Sequence, residues 1–457
     1  MKRILLLALL ASACAGPGAR TPPPAAPQVP ETWRGGALPG AQVEAGWWNA
    51  FGDPVLSDLV TRALANNVDV ALAAARVGEA RAQETSARAA LLPDASAGAS
   101  AARSRSVGSF GTPVEQTAAS PSLSVSYELD LFGRNAPGRE AARQGTVAAL
   151  AARDAAALAV AATTASSYIT LRALDERLQT ARDTLAARQE GLRVARRRAE
   201  TGYTSRLELN QAEAEYRAAS QVVPQTELAI ARAENALSIL LGVAPGAIPR
   251  GKAFDALVLP PVPGGLPSDL LRRRPDIAAA EARVAASDAR LDAARAQFLP
   301  RISLTGTAGV ALSTALADPI TLFSLGGSVL APIFDSGRLR AGVETATSQR
   351  DQAALTYRAT VLTSLREVED GLAAVQRQAQ AETEVRAQRA ALAEALRHAT
   401  DRYRAGYTSF IEQLDAQRGL LAADLTLINV RLDRYTAHVD LYRAFGGGWR
   451  EETLPTR

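Results

Sequence analysis

Gly202-Tyr203-Thr204-Ser205 returns unchanged as Gly406-Tyr407-Thr408-Ser409, and each copy ends a long run without proline, Gly138–Glu200 in the first case and Arg338–Arg404 in the second. Outward from the two turns the duplication continues. Leu91-Leu92-Pro93-Asp94 is answered by Phe298-Leu299-Pro300-Arg301, and Phe132-Gly133-Arg134 by Phe334-Asp335-Ser336-Gly337-Arg338. Periods of roughly 20–50 residues build solenoids. A period of about 200 instead marks the duplication of a multi-element unit. The order of parts in each unit is short helix, strand pair, very long helix, glycine turn, long helix.

At about 1.5 Å per residue, each proline-free run predicts a helix on the order of 95–100 Å long. Such a length exceeds a globular domain and suits a coiled coil or helical array. In the second run Leu355, Val361, Leu362, Leu365, Val368, Leu372 and Val375 recur at threes, fours and sevens. Gly202 and Gly406 then supply the left-handed conformation that reverses a helix. The chain returns as a second helix over Leu207–Leu241 and Ile411–Phe445. Two antiparallel helical hairpins follow from this pattern.

Ser122-Leu123-Ser124-Val125-Ser126-Tyr127-Glu128-Leu129-Asp130-Leu131 alternates apolar with polar residues over the length that a tilted membrane strand needs. Ile302 to Val310 alternates in the same way, Phe323 to Ala331 more weakly, and Asp94 to Ser104 only as Ala against Ser and Gly. The intervening segments Val107–Ser120 and Ser313–Thr321 read as loops. Four strands do not close a barrel, and open edges are not tolerated in lipid. A membrane role therefore requires strands pooled from several copies; the other reading of the same pattern is a soluble hairpin packed on helices.

The 457 residues carry a formal charge of +4, with Lys2 and Arg3 in a targeting segment. Apart from Lys2 and Lys252 the 51 basic residues are all Arg, interspersed with Asp and Glu along helices. These are solvated helix faces rather than a nucleic-acid surface. Aromatic residues make up only 5% while hydrophobic residues reach 47%, so alanine supplies much of the apolar content and favours thin, closely packed helical walls. No nucleophile–base pair, metal cluster or phosphate loop stands out, and His398 and His438 lie far apart. Neither an enzyme nor a cofactor is expected.

Met1-Lys2-Arg3 followed by Ile4–Leu10 has the form of a secretory signal, too short to span a bilayer. Leu10-Ala11-Ser12-Ala13-Cys14 resembles a bacterial lipoprotein signal, with Ala11 where Leu is usual. The resemblance makes Cys14 the lipidated first residue of the mature chain; ordinary cleavage beside an incidental cysteine is the other reading. Ala15 resembles the residue that sends lipoproteins to the outer membrane. Residues 16–30 are rich in Pro and Ala and read as a tether.

Further motifs carry a family resemblance over almost the whole mature chain. They are Trp47-Trp48 with Phe51-Gly52-Asp53-Pro54, Asn66-Asn67-Val68-Asp69, and Asn235-Ala236-Leu237 with Leu240-Leu241-Gly242. The linker adds Leu266-Pro267-Ser268-Asp269-Leu270-Leu271-Arg272-Arg273-Arg274-Pro275-Asp276-Ile277. Together they resemble the TolC-like outer-membrane efflux proteins, and within them the lipoprotein branch typified by OprM. The resemblance implies a mixed α and β membrane protein: a homotrimer whose chains each give four strands to a twelve-stranded outer-membrane β-barrel, continued by a long periplasmic α-helical barrel. It also implies a periplasmic adaptor and an inner-membrane efflux pump as partners, usually of the resistance-nodulation-division type.

By position about the second glycine turn, Tyr403, Asp415 and Glu412 resemble the family's periplasmic gate. Three copies of one acid around an axis would repel each other and attract cations. Gly202, Thr204, Gly406 and Thr408 mark the tips, where they would stabilise the hairpins or meet the adaptor. The expected segments are a signal peptide (1–13), a lipidated tether and lead-in (14–55), a linker (245–265) and a tail (447–457). Repeat 1 (56–244) holds strands near 94–104 and 121–131 and a hairpin over 138–241. Repeat 2 (266–446) holds strands near 301–311 and 323–333 and a hairpin over 338–445. Two other classes share parts of this pattern. A periplasmic adaptor also carries long hairpins, but one rather than two in tandem. A coiled-coil surface lipoprotein would need no alternating strands.

Overall fold

The computed structural model describes residues 27–35, 40, 43–107 and 109–450. Two short helices come first, α1 (Pro54–Asn66) and α2 (Val68–Ala89), followed by β1 (Asp94–Val107), β2 (Pro113–Leu129), α3 (Ala136–Glu200) and α4 (Arg206–Leu240). The same order repeats as α5 (Leu270–Arg273), α6 (Pro275–Ala296), β3 (Arg301–Ser313), β4 (Ile320–Leu330), α7 (Arg338–Arg404) and α8 (Phe410–Ala444). The compact units cut across these repeats. One gathers Ala75–Leu150 and Ala278–Thr360; the other gathers Gln28–Ala74, Ala151–Ile277 and Val361–Arg457. Each unit thus takes corresponding parts from both repeats.

In the first unit the strands form one antiparallel sheet in the order β1-β2-β3-β4. Its register sorts the side chains as the alternation predicts. Leu123 faces Ala97 and Ala308, and Ala308 faces Phe323. Val125 faces Ala95 and Gly306, and Gly306 faces Leu325. One sheet face is therefore apolar. The other carries hydroxyls, with Ser96 and Ser124 paired at 2.8 Å and Thr307 and Ser324 at 2.7 Å. Within the chain both edge strands lack an outer partner, and every described residue of β1 and β4 is exposed. Phe323 is 85% and Leu325 87% exposed. An exposed apolar face with two open edges is unstable in water.

The structure corrects several boundaries: β1 runs on to Val107, β2 ends at Leu129 rather than near 131, β3 runs on to Ser313 and β4 starts at Ile320. The Val107–Ser120 segment read as a loop is mostly strand, since β2 begins at Pro113. Val114–Ser120 has little apolar alternation to announce it. It is held by pairing with β1 and by Glu115, which meets Arg103 at 3.0 Å and Arg105 at 3.7 Å. The fourth strand ends at Leu330 rather than near 333, because Pro332 has no N–H to give a ladder. Pro121 interrupts the β2–β3 ladder for the same reason, and Gly309 lies so close that a Cβ there would stand 2.6 Å from the Pro121 carbonyl oxygen.

Carboxylates start the long helices from the sheet. Asp130 accepts the backbone N–H groups of Arg134, Asn135 and Ala136 ahead of α3, and Asp335 accepts those of Gly337 and Leu339 ahead of α7. Both helices exceed 60 residues, at 65 for α3 and 67 for α7. An 18-residue window of α3 has a mean hydropathy of 1.4 with 33% buried in the chain, although the sequence shows no run of 18 apolar residues. Pro224 sits inside α4, a feature that the sequence reading of the return helix passed over. It withholds one N–H from the helical ladder.

The second unit is built around Trp47, Phe51, Leu56 and Leu59, packed on Tyr168 and Ile169 of α3, Leu237 of α4 and Tyr435 of α8. Asp53 is buried beneath them. Its carboxylate accepts from Val55 N at 2.9 Å, Tyr168 Oη at 2.8 Å and Lys252 N at 3.0 Å, so a buried charge is met by three donors. Arg274, from the long linker motif, is also buried. It forks onto Asp276 at 3.0 and 2.7 Å and reaches Glu367 at 2.7 Å and the Ala444 carbonyl at 3.1 Å. One guanidinium thus joins the junction of α5 and α6 to α7 and the end of α8.

Candidate functional site

Both helical hairpins reverse through the same geometry. Gly202 and Gly406 have φ of 72° and 79°, and nothing stands within 4 Å of a Cβ built on either. The left-handed backbone, not crowding, calls for glycine. Tyr203 N donates to Arg198 O at 2.8 Å, and Tyr407 N to Arg402 O at 2.9 Å. Ser205 Oγ accepts from Glu208 N at 3.4 Å, capping α4, whereas Ser409 begins α8 without a side-chain cap. Thr204 and Thr408 have buried Oγ1 atoms with no partner, at the same place in each turn. Tyr203 and Tyr407 point outward, 78% and 79% exposed.

Next to the turns, one bond ties the two hairpins together. Tyr403 Oη on α7 donates to Glu208 Oε1 on α4. The Arg198 guanidinium lies 5.1 Å from the Tyr403 ring centre and 5.8 Å from that of Tyr203, while the Phe410 ring lies 5.7 Å from Tyr403. Burial, reinforced by Glu208, pushes the Tyr403 hydroxyl up to about 12. An acid raised above its ordinary value contributes its stabilisation below that ordinary value, near 10, and loses it as pH rises through about 12. The tie therefore holds through the neutral range.

Glu412 and Asp415 stand exposed at the start of α8 and, among the described residues, take no hydrogen bond or ion pair. Of the gate residues expected from the sequence, then, Tyr403 is bonded across hairpins and the two acids are free toward solvent. Its partner Glu208 was missed. Ser205-Arg206-Leu207-Glu208 has the form of a capping box, which gives the glutamate a local role and hides the distant one.

Deeper between the hairpins, Arg188 of α3 is only 8% exposed. It contacts Gln417 Oε1 and stands 3.5 Å from Glu215, a carboxylate also gripped by Arg418. Burial pulls the Arg188 guanidinium below its ordinary value. Cys14 lies outside the described residues.

The family model for outer membrane efflux proteins matches residues 59–243 and 266–447 in succession. The chain belongs to the outer membrane efflux protein family. This efflux protein is 37% identical over 429 residues to the toluene efflux pump outer membrane protein TtgC of Pseudomonas putida, an alignment covering 90% of the chain and 87% of the relative. It is 36% identical over 466 residues to outer membrane protein OprJ of Pseudomonas aeruginosa, covering 98% and 95%. Among solved structures it matches the CmeC outer membrane channel of Campylobacter jejuni with a TM-score of 0.89 at 25% identity over 96% of each chain. A membrane protein of Pseudomonas aeruginosa gives a TM-score of 0.87 at 33% identity, over 97% of this chain and all of that one.

The resemblance read from the tryptophan pair, the Asn66 and Asn235 motifs and the linker motif is borne out. The fold class is that of outer-membrane efflux channels, membrane strands together with very long helices. The efflux protein is an outer-membrane channel component of an efflux system.

Proposed function

We propose that three copies of this chain pool their strands into a twelve-stranded barrel and their hairpins into a periplasmic tunnel. The observation that carries this reading is the four-stranded sheet with an exposed apolar face and two unpaired edges. Joining the β1 edge of one copy to the β4 edge of the next removes both edges and turns Leu123, Phe323 and Leu325 toward lipid. The serine- and threonine-bearing face then lines a hydrated conduit. Drugs, solvents or other small organic molecules pass down it passively. A periplasmic adaptor and an inner-membrane pump of the resistance-nodulation-division type deliver them and supply the energy. The adaptor meets the tips at Gly202, Thr204, Gly406 and Thr408.

The closable end is the tip. Asp415, with Glu412 beside it, repeats three times around the axis and makes a cation-attracting constriction. The Tyr403–Glu208 bond holds the two hairpins of each chain together and so favours the closed form. Asp415→Ala is expected to raise single-channel conductance or weaken cation preference in a planar bilayer. If neither changes, Asp415 is not part of the constriction.

Cys14 anchors the mature chain to the outer membrane through a covalent lipid, consistent with the outer-membrane family and with the signal preceding it. Cys14→Ser is expected to abolish incorporation of labelled palmitate while leaving the channel's conductance intact. Labelling that persists in the variant would rule out the anchor.

A further inference from the structure

Beside the Tyr403–Glu208 tie the four long helices line a half-open cavity of about 360 Å³. Its wall is divided by chemistry. Leu192, Ala212, Leu396 and Phe410 give it an apolar side, and Arg188, Arg198 and Arg404 give it three guanidinium groups. The opposing negative charge falls short of these. Glu190 is engaged with Arg193, and Glu215 is shared between Arg188 and Arg418. Arg198 and Arg404 have no carboxylate at ion-pair distance among the described residues; Arg198 leans on two tyrosine rings instead. Arg188, nine-tenths buried, has the neutral Gln417 and half a share of Glu215 as its partners. A buried cation so weakly matched gains more from an added anion than an exposed one does.

We propose that this cavity binds a small amphipathic anion, an aryl carboxylate or sulfonate, whose charged end pairs with Arg188 and whose ring lies against Leu192, Phe410 and Tyr403. The volume suits a ligand of one or two fused rings. The bound molecule touches α3 and α4 of the first hairpin and α7 and α8 of the second. It therefore bridges parts that separate when the tip opens. A ligand favours whichever state it binds better, so this one favours the closed tip and acts as a brake on the channel. The braking rests on the gate reading above; the binding does not.

The test titrates the purified, detergent-solubilised full-length protein with 2-naphthoate and with its neutral analogue 2-naphthamide by calorimetry. 2-Naphthoate is expected to bind at one site per chain, at least tenfold more tightly than 2-naphthamide. Arg188→Gln should weaken 2-naphthoate at least tenfold. Glu215→Gln removes the competing carboxylate and should tighten it severalfold, a gain that misfolding does not produce. Equal binding of the two ligands, or affinity for 2-naphthoate unchanged in both variants, overturns the site. In a bilayer, 2-naphthoate on the tip side should lower open probability in the wild-type protein and not in Arg188→Gln. Binding with unaltered gating overturns the brake and leaves the site standing, and a protein that conducts nothing without ligand overturns the channel reading instead.

Discussion

Arg274→Ala is expected to destabilise the folded chain by about 3–5 kcal/mol, the range for removing one partner of a buried ion pair. The side chain is 7% exposed and holds Asp276 through two bonds, Glu367 through one and the Ala444 carbonyl through another. Its loss leaves the buried Ala444 carbonyl and the partly exposed Glu367 carboxylate without that donor. The groups it holds belong to α6, α7 and the end of α8, so the change loosens the unit that carries most of both hairpins. Arg274→Lys keeps the charge but not the planar fork that matches Asp276, and should retain only part of the stability. The measurement is the denaturation midpoint of the detergent-solubilised protein, with the amount of protein recovered from the outer membrane as a second readout. A midpoint unchanged in Arg274→Ala would show that the ion cluster contributes nothing net.

The second large effect falls on the proposed gate. Breaking the Tyr403–Glu208 tie by Tyr403→Phe should raise the open probability of the channel. The bond is charge-assisted but partly solvated, so each copy contributes about 1 kcal/mol rather than the full range for a buried charged bond. Three copies acting together make about 3 kcal/mol, on the order of a 100-fold shift between closed and open forms. Glu208→Gln should give a smaller shift, since the amide oxygen still accepts from the phenol without the charge. The tie also sets a pH limit. It persists through neutrality and weakens only above about pH 10, as the Tyr403 hydroxyl approaches its raised value near 12. Bilayer recordings of Tyr403→Phe with the open probability of the wild type would remove the tie from the gating account.

What the sequence made legible was periodic or repeated. The long helices end at Glu200 and Arg404, beside the glycine turns that the repeat singles out. The alternation told which residues of Ser122–Leu129 share a sheet face, because side chains in a strand have a period of two, but it ran on through Asp130 and Leu131, which lie past the strand. The start of β2 was not legible. Val114–Ser120 is small and polar, and what holds it as strand is its partner in β1. Pairings between distant residues were hidden for a similar reason. Tyr168 and Lys252 meet Asp53 across 115 and 199 positions, and Tyr403 meets Glu208 across 195. The Arg274 motif was visible as a signature, but its role depends on Glu367 and Ala444, which come close only in the fold.

In the proposed assembly this chain forms its channel by pooling strands with copies of itself. The most direct measurement is planar-bilayer conductance of the purified full-length protein, with the oligomer mass determined on the same sample. The expected result is a trimer that conducts small, cation-preferring currents. A monomer without conductance would contradict it, because four strands with two open edges do not line a pore.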